Sequence, residues 1–180
     1  MKRLLIISIS MIVLSLQNIS CGYRVGSILP LDIHSIAIPT FKNLTQKPGI
    51  ETSITNKIIE RFQIDGTLRV IEQKDADVLL TGELVDYRRE PVRFSGEDYS
   101  DVREYRLTIV CKVSLINLVT QEEIWKDRLI EGETTYKTGG DLSERELTAI
   151  GTTLTSEKAQ LPTLEEDLAY NVVESVVEGW

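Results

Sequence analysis

Positive charge gathers in one short stretch of the chain, Arg88-Arg89-Glu90-Pro91-Val92-Arg93, followed by Arg103 and Arg106. A guanidinium offers phosphate or carboxylate two parallel N–H donors, so several of them at one end of a sheet suit an anionic ligand. Glu90, Glu97, Asp98, Asp101 and Glu104 stand among these arginines. A solvated loop with mutual ion pairs is therefore the competing reading.

Other chemistry finds little support. His34 is the only histidine, and no Gly-x-Ser-x-Gly elbow supplies a nucleophile for it. It reads as a surface or capping residue. Glu122-Glu123 flanks a turn and Glu165-Glu166 opens a helix, where carboxylates stabilise the dipole. There is no P-loop and no Gly-x-Gly-x-x-Gly, and Gly139-Gly140 is a turn. Cys21 and Cys111 belong to no Cys-x-x-Cys or Cys/His cluster, which removes zinc and thioredoxin-like readings. The expectation is a protein without enzymatic activity, cofactor or metal.

The formal net charge is −8, and Lys2 and Arg3 are the only charges before residue 21, so the rest of the chain is more acidic still. Wrapping nucleic acid needs Lys and Arg over most of a face, and that class is excluded. Any bound anion must meet a local basic patch.

Residues 1–20 have the form of an export signal. Lys2-Arg3 precedes Leu4 to Leu16, an apolar run interrupted only by serine and shorter than the ~20 residues of a transmembrane helix. Ser20 then precedes Cys21, the arrangement of a bacterial lipoprotein signal, although Asn18 holds the place of the usual aliphatic residue. A plain secreted protein is the alternative. Lipidation of Cys21 would pin the domain to a membrane through its acyl chains. Gly22 rather than Asp follows the cysteine, which favours the outer membrane. Cys111 would then have no intramolecular partner, and it reads as a buried small hydrophobe.

The elements that position these residues follow from periodicity. Residues 21–31 read as a tether and 32–180 as one domain. Ile33, Ile36 and Ile38 make a short strand ended by Pro39, and Pro48-Gly49 closes a loop. Ile50, Ile54, Ile58 and Phe62 form a helical stripe with Asp65-Gly66 past its end. Leu68–Ile71, Ala76–Tyr87, Tyr105–Leu115 and Ile124–Glu131 are the further strands, the last two an antiparallel hairpin. The arginines fall in the loop that joins Tyr87 to Tyr105. Residues 132–162 carry no firm pattern beyond a short helix around Leu142–Ile150. Thr163 with Glu166 forms a capping box, and Leu164, Leu168, Val172 and Val176 continue a final helix.

Two amphipathic helices and about five strands, each with one apolar side, fit an α+β two-layer sandwich. The helices pack on one face of a mixed, mostly antiparallel sheet. Leu79, Val85, Val110, Ile116 and Trp125 have the opposite parity, so the second face carries apolar area suited to a partner.

Cys21-Gly22-Tyr23, Ile36-Ala37-Ile38-Pro39-Thr40-Phe41-Lys42-Asn43, Pro48-Gly49-Ile50-Glu51, Ala76-Asp77-Val78-Leu79-Leu80-Thr81-Gly82 and Glu123-Ile124-Trp125 stand in an order that resembles the LptE family from Cys21 to Trp180. The resemblance implies an outer-membrane lipoprotein on the periplasmic side that plugs and helps assemble an LptD-type β-barrel and binds lipopolysaccharide. On that reading Arg88, Arg89 and Arg93 contact its phosphates. A CsgG-like or other envelope secretion lipoprotein module is the alternative, and it would need lipid-facing hairpins of ~9–11 alternating residues per strand.

Overall fold

The structure, a computed structural model, describes residues 32–95, 98–137 and 153–178. The expected signal peptide, Cys21, the tether of residues 21–31 and the short helix around Leu142–Ile150 lie outside the described residues.

The elements follow in the order Ser35–Ala37 (β1), Lys42–Asn43 (β2), Ile50–Asp65 (α1), Arg69–Val70 (β3), Val78–Ser95 (β4), Asp98–Asn117 (β5), Glu123–Lys137 (β6) and Thr153–Val177 (α2), with a 3-10 turn at Gln73–Asp75 between β3 and β4. One sheet runs β3-β1-β4-β5-β6, and β2 also pairs with β4. The pairs among β1, β2, β3 and β4 are parallel, while β4-β5-β6 is antiparallel. This is the α+β sandwich with a mixed sheet that the periodicity predicts.

The core forms where the two periods meet. On β5, Leu107, Ile109, Cys111, Val113 and Leu115 are no more than 1% exposed, the period-two face predicted for this strand. Against that face lie Ile50, Ile54, Ile58 and Phe62 of α1 and Leu164, Leu168, Val172 and Val176 of α2. Each such side chain contributes about 1.5–3 kcal/mol through burial. Gly66, at φ 75°, ends α1 by donating its N–H to the Phe62 carbonyl at 3.0 Å. Phe41 closes the core beside β4, its ring lying where a Cβ on Gly82 would stand.

Asp77 ties the starts of β1 and β4 together. Its Oδ2 accepts from the backbone N–H of His34 and of Ser35, both at 2.9 Å, and from the Ser35 hydroxyl at 2.7 Å. His34 itself is exposed.

Three local expectations are corrected. The stretch holding Arg88, Arg89 and Arg93 is strand rather than loop, because β4 runs on to Ser95 and pairs with β5 as far as Asp98. The final helix begins at Thr153, not at the capping box of Thr163, and carries Pro162 inside it. Proline removes only one backbone donor there, and Glu157 and Leu161 extend the inward stripe of Leu164 and Leu168 by two turns. Trp125 packs against the main core, opposite Leu115, instead of on the second face. Leu79 and Ile116 do lie on that second face, in a small cluster with Ala37 and Ala76. Val85 sits at a bulge between Leu84 and Asp86, where the register of β4 shifts against β5.

The outer edge of β6 is covered by α2. The Asn171 amide donates to the Glu131 carbonyl at 2.8 Å, and the Asp167 carboxylate accepts the Glu133 N–H at 2.8 Å. Gly132, between them, allows the close approach: a Cβ there would stand 2.7 Å from the Leu168 backbone nitrogen and 2.8 Å from its Cα.

Candidate functional site

Adjacent residues of a strand point to opposite faces, and β4 divides its arginines accordingly. Arg88 lies on the open face, 3.3 Å from Asp86 and 3.9 Å from Glu131. Arg93 reaches Glu104 at 3.6 Å, and Arg106, paired with Glu90 in the ladder, reaches Glu133 at 3.8 Å. Their side chains are 50% and 44% exposed, so these pairs hold the arginines in place at small energetic gain. Arg89 turns to the helix side. The three arginines expected to act as a trio thus split, Arg88 and Arg93 apart from Arg89.

Lower on the open face the charges are likewise paired. Glu83 accepts from Lys112 at 2.9 Å and Lys42 at 3.3 Å, and Lys112 also lies 3.8 Å from Asp127. The Lys112 and then the Lys42 hydrogen bond hold the Glu83 carboxyl below its usual range. These residues rim a depression of about 380 Å³. β4 and β5 have the length of membrane strands, but this charged row does not suit a lipid-facing surface. Among the described residues no helix is long and apolar enough to cross a membrane, and no group of three or more His, Cys, Asp or Glu is disposed to hold a metal ion.

On the helix side, Arg89 belongs to a denser cluster that residue spacing did not reveal. The Glu157 carboxylate of α2, only 8% exposed, receives Lys47 Nζ at 2.6 Å and the Tyr87 hydroxyl at 2.8 Å on Oε1, with the Arg89 guanidinium 3.4 Å from Oε2. Lys47 is delivered by a tight loop. Asn43 accepts from the Thr45 N–H at 2.9 Å and donates to the Lys47 carbonyl and the Glu51 carboxylate, both at 2.8 Å, while Gly49 at φ 87° leads into α1.

Aromatic rings floor the cluster. The Arg89 guanidinium lies 5.0 Å from the centre of the Tyr105 ring, which stacks on Tyr136 at 5.6 Å, and Lys47 Nζ lies 5.1 Å from that of Tyr87. Burial would raise the Glu157 carboxyl, but the hydrogen bonds of Lys47 and Tyr87 and the nearby cations outweigh it and hold the group ionised below its usual range. Burial first, and then the bond to Glu157, pushes the Tyr87 hydroxyl up. Burial also raises Tyr136; Arg89 opposes that rise, yet no hydrogen bond of good geometry satisfies the Tyr136 hydroxyl. Two cations surround one carboxylate, leaving an excess positive charge among the described residues.

Sheet and helices define a class, the small α+β sandwiches with two helices on one face of a mixed sheet. Solved structures with this fold include hypothetical protein CT253 from Chlamydia trachomatis (9% identity, TM-score 0.55, 80% of this chain and 95% of that one). A minor lipoprotein from Acinetobacter baumannii is similar at 12% identity and TM-score 0.52, covering 83% of this chain and 95% of that one. Uncharacterized lipoprotein B from Nitrosomonas europaea follows at 15% identity and TM-score 0.51, with 84% and 85% covered. At such identities the likeness concerns the fold alone. No curated protein matches the sequence. The family is shown by the sequence itself: residues 33–178 match LptE, described as lipopolysaccharide-assembly, and the chain belongs to that family.

Proposed function

We propose that this protein is the lipid-anchored partner of an LptD-type β-barrel, attached through Cys21 to the periplasmic side of the outer membrane and binding lipopolysaccharide during its delivery to the surface. Membership in a lipopolysaccharide-assembly family supports the reading. The observation that carries the ligand assignment is the β4-β5 hairpin, where Arg88, Arg93 and Arg106 stand half-exposed on one face. Guanidiniums reached by solvent can exchange carboxylate for phosphate. Arg89 adds a fourth cation from the opposite face.

Two experiments test it. Tagged protein from gently solubilised outer membranes should copurify with a large barrel protein, and recovery of the chain alone counts against the plug. Arg88→Glu with Arg93→Glu should weaken binding of lipopolysaccharide by roughly tenfold or more, the loss of charge-assisted hydrogen bonds of about 1.5–3 kcal/mol each, with the fold intact. Arg89→Glu, measured separately, should weaken it as well. Unchanged affinity in both variants would remove the arginines from the site.

A further inference from the structure

We propose that Glu157 is an internal ligand occupying a site built for a tetrahedral oxyanion, and that the α2 segment upstream of Pro162 is the piece that carries it in and out. Four groups from three elements converge there: Lys47 Nζ from the loop before α1, Tyr87 and Arg89 from β4, and Tyr136 from β6. A carboxylate offers two oxygens, and Glu157 uses them unevenly. Oε1 takes both close donors, at 2.6 and 2.8 Å, while among the described residues Oε2 meets only the Arg89 guanidinium, at 3.4 Å. The Tyr136 hydroxyl, in a residue 4% exposed, makes no hydrogen bond of good geometry among the described residues. A buried donor without a partner is costly and calls for an explanation. The donor set is larger than the ligand it now holds. A phosphate group, with more oxygens and a larger charge, matches both the spare donor and the excess positive charge.

The cluster is also reachable. Lys47 and Arg89 are 34% and 41% exposed, whereas Glu157 is 8% exposed, so the cations open outward while the internal carboxylate seals the inner side. The segment that holds Glu157 is weakly tied to the rest of its helix. Pro162 cannot donate the backbone hydrogen bond that would link it to Lys158, and Lys158 and Ala159 face solvent. A helix turn short of a backbone hydrogen bond and with solvent-facing residues opens more readily than the core of the helix. Displacing Glu157 would free both cations and the Tyr87 hydroxyl beside the unsatisfied Tyr136 hydroxyl.

This inference rests on the reading of Arg89 as a phosphate contact and makes that contact conditional on release of Glu157. It is tested on the full mature chain with Glu157→Gln, which keeps the shape and removes the competing charge. Vesicles of phosphatidylcholine containing diphosphorylated lipid A, and inorganic phosphate alone, are the two probes. A site competent in one molecule in ten or fewer gains about tenfold in apparent affinity when the internal ligand is neutralised. Glu157→Gln should therefore bind about tenfold tighter than wild type. Binding of both probes assigns the site to the phosphate group itself, and binding of the vesicles alone assigns it to a lipid headgroup.

A second readout needs no variant. In the wild type, amide hydrogen exchange in residues 153–161 should accelerate when a probe binds, because the segment is released. Equal or weaker binding by folded Glu157→Gln overturns the inference. If that variant does not fold, unchanged exchange in the wild type overturns it. Binding lost in Arg88→Glu/Arg93→Glu but unaltered in Glu157→Gln would refute the internal ligand and leave the arginine reading standing. No binding of lipid A by any form would refute both.

Discussion

Gly132→Ala should loosen the contact between α2 and the edge of the sheet. The added methyl would stand 2.7 Å from the Leu168 nitrogen and 2.8 Å from its Cα, and both are backbone atoms of a helix that cannot rotate aside. The helix must move outward by several tenths of an ångström or more. Overpacking of this kind costs about 1–3 kcal/mol. The same movement stretches the hydrogen bonds of Asn171 to the Glu131 carbonyl and of Asp167 to the Glu133 N–H, each 2.8 Å long. Both lie at the surface, so together they add roughly 1–2 kcal/mol, near the lower end for such bonds. A total loss of about 2–5 kcal/mol follows, and with a urea slope of about 1–3 kcal/mol per molar the midpoint should fall by about 0.7 M or more. Urea unfolding of the mature chain measures the loss, and faster exchange of the Glu133 amide locates it. A midpoint within a few tenths molar of wild type, with that amide still protected, would refute the packing argument.

Two further outcomes are expected. Burial pushes the Cys111 thiol up to about 12, so iodoacetamide at neutral pH should leave it unmodified until urea unfolds the chain; labelling at Cys111 in the folded protein would contradict its place in the core. Asp77 is held below its ordinary value of 3.8 by the Ser35 hydroxyl and then by the His34 N–H. A depressed carboxyl contributes stability that is present above the unfolded value and fades as pH falls through the folded one, so wild-type stability should drop below about pH 4 and Asp77→Asn should show a flatter acid limb. Parallel acid limbs would exclude Asp77 as a source of that loss.

Much of the frame can be read from apolar spacing alone. Ile50 to Phe62, Leu107 to Leu115 and Leu164 to Val176 face the core because each repeats at the period of its element. The spacing misleads where a local signal competes with tertiary contact. Thr163 and Glu166 make a sound capping box, yet Glu157 and Leu161 find inward partners and carry the helix past it. Pro91, a residue that suggests a turn, sits in the ladder opposite Tyr105 on β4. Half of the site was visible as an arginine cluster. The other half was not, since Lys47, Tyr87, Tyr136 and Glu157 come from four distant segments and only folding brings them together. The extension of the Leu164 stripe backwards to Glu157 is the one signal that could have drawn attention to it.

The helix contact at β6 also sets how the molecule can be joined to others. Four residues of a helix rise about 6 Å and two residues of a strand about 6.8 Å, so Asp167 and Asn171 match the outward-facing groups of Glu133 and Glu131 for one repeat and would drift out of step over several more. For that length α2 imitates a neighbouring strand. A partner approaching from this side finds the middle of the edge already taken, and it must bind by surface fit or reach the sheet elsewhere, rather than by zipping a strand along all of β6.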